Sequence, residues 1–271
     1  MTRAFLAHAD AGAAVMKRDI LVFRSYRLRF VSQLVTGFPP VALTYYISRL
    51  VNVKSFHNPD EYFAYAVIGF VILQVLYSTV GTLPARVRQE LVAGTFERFI
   101  VSPFGAAAAV VSMTVFPFLL ALFAGASTIA FAVLVFGMPM HWSTVGFGVP
   151  LAVFGCLSFA PFALLGAAAV IFVKQAQSAT SLVVTGISFI AGFLFPVSLL
   201  PGWIRWMSEV QPFTPTVDLL RHVLAGSELQ AGLAAELVKM GVSAAVLLPA
   251  AVWVLSSAIR LSQRRGTIVE Y

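Results

Sequence analysis

Six runs of this chain are too apolar and too long to rest in water: Phe30–Val51, Tyr62–Leu83, Ala108–Phe136, Thr144–Val173, Ser178–Leu200 and Leu237–Ile259. A helix needs about 20 apolar residues to cross the hydrocarbon of a bilayer. Backbone in lipid has to satisfy its own hydrogen bonds, so each run is expected to be a helix. The expected fold is therefore all-α and polytopic, with six transmembrane helices in one membrane domain over residues 1–271. Charged residues make up only 11% of the chain, against about 25% in soluble domains, which leaves little room for an aqueous domain. Spans three and four are long enough to tilt or to start outside the hydrocarbon. Pro39-Pro40, Pro117, Pro150 and Pro161 are expected to kink or start helices.

Charge orients the spans. The net charge of +7 fits the excess of basic residues on cytoplasmic loops better than nucleic-acid binding. One side collects Arg3, Lys17, Arg18, Arg24, Arg27, Arg29, Arg86, Arg88, Arg98, Lys174, Arg260, Arg264 and Arg265. The other side holds Arg49, Lys54, Arg205, Arg221 and Lys239. That bias places both termini in the cytoplasm of a plasma or inner membrane, and an even number of spans agrees. The first residues have no continuous apolar core followed by a cleavage site, so a cleaved signal peptide is not expected. Residues 1–29 read as an amphipathic helix on the membrane surface, with Met16, Ile20 and Phe23 on one face and Arg18 and Ser25 on the other. The alternative is a plain basic tail.

Two segments break the apolar pattern. The first, residues 84–104, contains RQELVAGTFERFIVSPF and is polar and charged. Arg86 and Glu90 are spaced to pair on a helix. Gly94 can end that helix in a left-handed cap. Thr95 can N-cap a second helix with Glu97 in its first turn. The segment reads as helix, break, helix: an ordered knob rather than a slack connector. The second, residues 201–236, falls on the outside yet carries Trp203, Trp206, Met207, Phe213, Val217, Leu219 and Leu220. Two short helices dipping into the outer leaflet fit this, with Trp203 and Trp206 at the interface. Pro212 and Pro215 are expected to separate the pieces, and Asp218 and Arg221 are spaced to pair. Plain interfacial anchoring is the alternative.

Several chemistries lack their residues. The chain has no G-x-x-x-x-G-K-[ST] motif for nucleotide phosphates. His8, His57, His141 and His222 are scattered, so no metal site is expected, and HNPDEY reads as a turn at a membrane surface. The single Cys156 sits inside an apolar run and reads as a small buried residue. The spans carry few of the titratable groups that ion-coupled transport uses.

The two segments also carry a family resemblance. QELVAGTFERFIVSPF resembles the cytoplasmic loop of type-2 ATP-binding-cassette exporter permeases, through Glu90, Gly94, Thr95, Phe96, Glu97, Ser102 and Pro103. FLFPVSLLPGWIRWMSEVQPFTPTVDLLRHVLAG resembles the same family's segment between spans five and six, through Pro196, Leu200, Pro201, Trp203, Pro212, Thr214 and Arg221. It departs at Gln211, where Asn is usual, and at the extra Pro215. The resemblance covers the whole chain. It implies a non-enzymatic permease with ATP and Mg bound by a separate ATPase, present in two copies, and no cofactor on this chain. It implies that Glu90, Gly94, Thr95, Phe96, Glu97 and Arg98 couple to that ATPase. It also implies re-entrant helices that close the outward end, with Pro196, Pro201, Trp203, Trp206, Pro212 and Arg221 as the gate. Six spans make half a pathway, so a homodimer or a pairing with a homologous permease in the lipid bilayer is expected, without nucleic acid. Tyr45, Tyr46 and Tyr77 are candidate pathway residues, and aromatic walls suit amphipathic drugs or lipids. A polysaccharide or lipid-linked glycan is the alternative cargo, and a membrane enzyme or a non-transporting subunit the alternative class.

Overall fold

The computed structural model describes residues 2–25, 28, 31–32, 35–50, 56, 58–102, 105–173, 176–193, 196–197, 200–229 and 231–265. Every regular element among them is helical. The long N-terminal helix α1 (Thr2–Ser25) is followed by α2 (Phe38–Leu50), then α3 (Pro59–Leu76). A π-helical turn (Tyr77–Gly81) joins α3 without a break to α4 (Thr82–Val92). Short helices α5 (Glu97–Ile100) and α6 (Ala106–Ser112) lead to α7 (Val115–Phe136), α8 (Gly148–Phe172) and α9 (Ala176–Ile190). Helices α10 (Gly202–Val210), α11 (Phe213–Ala225) and α12 (Leu233–Arg265) complete the chain.

Among the described residues, four helical stretches are long and apolar enough to cross a membrane: Pro59–Val92, Ala106–Phe136, Val145–Phe172 and Leu233–Arg265. The protein is thus an all-helical polytopic membrane protein. The expected first and fifth spans correspond to α2 and α9, of 13 and 15 residues, each shorter than a crossing. Phe30, Gln33, Leu34, Val51, Leu194, Phe195, Ser198 and Leu199, which those expected spans include, lie outside the described residues. So do His57, Pro103 and Lys174.

The core forms around α8. Of its apolar stretch 72% is buried inside the chain, against 17% for α12. A helix apolar all round belongs in the middle, whereas one left apolar and uncovered faces lipid. Small residues let neighbours approach α8 closely. A Cβ on Gly155 would press on Thr216 of α11, and one on Gly166 on Pro84 and Thr180. Prolines fall where the chain tolerates them. Pro39, Pro40, Pro117 and Pro150 sit in the first turns of α2, α7 and α8, and Pro161 lies inside α8.

Pro84 departs from the expectation. Instead of opening the polar segment, it lies within a helix that runs on to Val92. Proline removes one backbone donor and its ring crowds the carbonyl four residues back, here that of Val80. The π turn at Tyr77–Gly81 widens the helix at that place. The hydroxyls of Ser78 and Thr79 donate to the Val75 carbonyl at 3.1 and 2.8 Å. The helix therefore absorbs its proline instead of ending on it.

At the other end of α3 the HNPDEY turn is a helix start. Asn58 caps it, its Oδ1 accepting from the Glu61 amide at 2.8 Å. Pro59 opens the helix, with Asp60 and Glu61 in the first turn, where negative charge suits the dipole. Asp60 also pairs with Arg49 of α2 at 2.6 Å.

Candidate functional site

The knob between α4 and α6 is built by its sequence in steps. Helix α4 ends where Gly94 takes φ +66°, a left-handed conformation that glycine adopts without a Cβ penalty. The Gly94 amide then donates to Leu91 O at 3.1 Å and the Thr95 amide to Glu90 O at 3.0 Å. These two bonds form the Schellman pattern that closes a helix C-terminus. The expected break at Gly94 is formed.

Thr95 does something other than cap. The N-cap position of α5 is Phe96, without a side-chain cap. The Thr95 hydroxyl turns back and bonds the Glu90 carbonyl at 3.2 Å and the Glu90 carboxylate. A carboxylate one turn upstream is the stronger acceptor, and it outcompetes the amides of a four-residue helix. Phe96 is 1% exposed and is packed with Val87, Leu91, Ala106 and Val110. Phe96 therefore anchors the knob from below, while Gly94, Glu97 and Arg98 stand exposed on its outer side.

The pairing expected between Arg86 and Glu90 is replaced by pairs to α1. Arg86 Nη1 donates to Asp19 Oδ2 at 2.7 Å and to the Met113 carbonyl at 3.4 Å. Arg18 donates to Glu90 at 3.2 Å and to Asp19 at 3.3 Å. Asp19 is buried, and a buried carboxylate draws in cations to offset its desolvation. Its position explains it: Val15, Asp19 and Phe23 lie four residues apart on the stripe of α1 that faces the chain. Val15 and Asp19 are buried, and Phe23 meets Phe116 of α7 edge-on at 5.5 Å. Ile20, expected to share a face with Phe23 on a helix lying on the membrane surface, is exposed. The spacing of Asp19 on that stripe was the signal sequence reasoning missed.

The segment after α9 holds the second constellation. It forms two short helices, as expected, with Pro201 capping α10 and Pro212 capping α11. Pro215 does not separate them. It lies in the first turn of α11, where its missing N–H leaves no partner wanting. Trp203 and Trp206 are exposed on α10, whereas α11 is buried from Phe213 to Arg221.

The expected pair of Asp218 with Arg221 is not made. Arg221 is 2% exposed and faces backbone instead. Its guanidinium donates to Tyr65 O at 3.2 Å, Gly192 O at 2.9 Å and Phe193 O at 2.7 Å. It also stacks on the Tyr65 ring, 3.4 Å from Cζ to centroid. Helix α9 stops at Ile190 and Gly192 takes φ +76°, so the carbonyls just past its end have no helical partners. Within a membrane they need donors from elsewhere, and one guanidinium, with its planar fork of five N–H groups, meets three carbonyls at once. Asp218 Oδ2 is left buried without a partner among the described residues. Pro196 lies four residues beyond Gly192 and is half-buried.

The three candidate pathway tyrosines part company. Tyr45 packs among Phe63, Phe136 and Tyr46. Tyr46 is exposed on α2. Tyr77 opens the π turn, is bonded to Thr185 of α9 at 3.2 Å and lines a cavity.

Residues 12–225 match the sequence profile described as ABC-2 type transporter, a span that runs from within α1 through both constellations. Over 89 residues the chain is also 27% identical to nodulation protein J of Rhizobium meliloti (strain 1021). That similarity spans about a third of each protein, 33% of this chain and 34% of the relative. The chain belongs to the ABC-2 type transporters, as their membrane permease subunit.

Proposed function

We propose that this permease has six spans with both termini in the cytoplasm, pairs with a second permease, and exports an amphipathic cargo driven by two copies of a separate ATPase. ATP and Mg belong to that ATPase. Residues 84–104 are the coupling segment, and the exposed edge of Gly94, Glu97 and Arg98 is the contact. The observation that carries this is the set of contacts that hold the knob. A Schellman-closed helix end, a buried Phe96 and two ion pairs to α1 tie it to the rest of the chain, which suits it to pass on a push. Glu90 and Thr95 hold the shape of the knob, Phe96 anchors it, and Glu97 and Arg98 supply its charge pattern.

The test separates contact from scaffold. Glu97→Lys combined with Arg98→Glu is expected to leave insertion intact, since both side chains are exposed. ATP turnover and transport should fall about tenfold or more, the scale of losing a few charge contacts at a protein interface. Wild-type transport by a normally assembled complex carrying both reversals would remove this reading of the knob.

Residues 201–236, with Pro196 before them, form the outward gate in this proposal, with Arg221 as its buried anchor and Pro196, Pro201 and Pro212 as its breaks. Trp203 and Trp206 are exposed, so replacing either by Ala leaves the core intact. A gate predicts altered transport per assembled complex at normal expression. An anchor predicts less protein with unchanged specific activity, and that outcome excludes the gate.

A further inference from the structure

A cavity of about 680 Å³ opens between α1, the π turn, α4 and α7. That volume is within the range of small-molecule sites, roughly 300–1,000 Å³. Its lining changes character along the helices. On α1 Arg18 and Asp19 give way one turn later to Phe23, and α7 contributes Phe116 and Leu120. On the opposite wall the charged turn of Arg86 and Glu90 follows the π turn. One end is therefore charged and the other aromatic and aliphatic.

Among the described residues, the charged end has no surplus. Two arginines and two carboxylates line it, and they are already joined, Arg18 to Asp19 and Glu90, and Arg86 to Asp19. A head group with a net charge would gain only by breaking one of these pairs, and breaking a partly buried pair is costly. An uncharged head rich in hydroxyl or amide groups can instead add hydrogen bonds to the remaining lone pairs and N–H groups. Phe23 and Phe116, edge to face, offer the apolar end an aliphatic tail would fill.

The wall is also left open at one point. Gly81, in the π turn, lines the cavity, and a Cβ built there meets no atom of the neighbouring described residues within 4 Å. Among the described residues, nothing packed against the helix calls for glycine at that position. Single π turns in otherwise α-helical stretches are frequent at functional sites. Given the exporter reading above, on which this rests, we propose that this cavity loads the cargo: a lipid-like amphipath with an uncharged, hydroxyl- or amide-rich head and an aliphatic tail.

The experiment is photolabelling of the assembled complex in lipid nanodiscs without nucleotide. The probe is dodecyl glucoside carrying a diazirine on its tail, used below its micellar concentration. Label is expected on the peptides holding Phe23, Tyr77–Gly81 and Phe116–Leu120. Unlabelled dodecyl glucoside should displace it about tenfold better than dodecyl phosphate or dodecylammonium, a difference of about 1.4 kcal/mol. Gly81→Trp, which fills the open space, should reduce labelling of these peptides about tenfold, whereas Gly81→Ala should keep most of it. Equal displacement by a charged probe, or label spread evenly over lipid-facing helices, overturns the proposal with no variant needed. Undiminished labelling in a folded Gly81→Trp complex overturns it as well. No ATP turnover enters this measurement, so a failed knob reading and a failed cavity reading give separate signatures.

Discussion

Replacing Arg221 by Met is expected to cost about 2–5 kcal/mol, the scale of leaving two buried carbonyls without a donor, and to deplete assembled protein in the membrane. The carbonyls of Gly192 and Phe193 would lose their donor together, and that of Tyr65, inside α3, its second one. Methionine restores the volume but none of the hydrogen bonds, and each buried group left unsatisfied costs about 1–3 kcal/mol. Arg221→Lys should recover only part of the loss, because an ammonium on a flexible stem cannot reproduce the planar fork or the stack on Tyr65. Thermal unfolding of the purified permease in detergent, with yield from the membrane as a second readout, checks this. An Arg221→Met protein as stable and abundant as wild type would show that the broken end of α9 finds other partners.

Gly69→Ala tests the same junction from α3 and is expected to do comparable damage. The added methyl would land on the Phe193 carbonyl oxygen and on the Arg221 guanidinium. Backbone cannot step aside as a side-chain tip can, so α3 and the end of α9 have to separate. Overpacking of this kind costs about 1–3 kcal/mol, and here the loosened guanidinium adds to it. The two substitutions share partners, so their effects should not add: Gly69→Ala placed on Arg221→Met should cost less than it does alone. Strict additivity in unfolding measurements would indicate that Gly69 acts somewhere other than this junction.

The elements near polar punctuation were the ones the sequence revealed best. Gly94 as a left-handed stop and the two short helices after residue 201 follow from local backbone chemistry, whereas the stretch read as a turn at Asn58–Pro59 is the start of α3. Four crossings were legible because length and hydropathy alone decide them. Partner choice was not legible. Arg86 and Glu90 had the right spacing for each other, as did Asp218 and Arg221, yet in each case a more demanding acceptor won. Buried Asp19 took Arg86, and the orphan carbonyls at the end of α9 took Arg221. Spacing within one helix reports what is near, whereas desolvation reports what is needed, and the second depends on a fold the local pattern does not contain. Pro84 misled for a related reason. Its rule holds for a regular α-helix, and the chain changed the helix.

That change has a consequence for direction. One extra residue in a helix turns everything beyond it by roughly 100°. The Tyr77–Gly81 turn thus sets the phase of α4 relative to α3. Above it, Ile68 and Ile72 point into the cluster shared with α8 and α11. Below it, Val87 and Leu91 point into the cluster under the knob, while Arg86 and Glu90 face α1. Without the extra residue, a helix aimed correctly at one end would be misaimed at the other. The π turn acts as an indexing joint, holding two faces of one rod on two different targets.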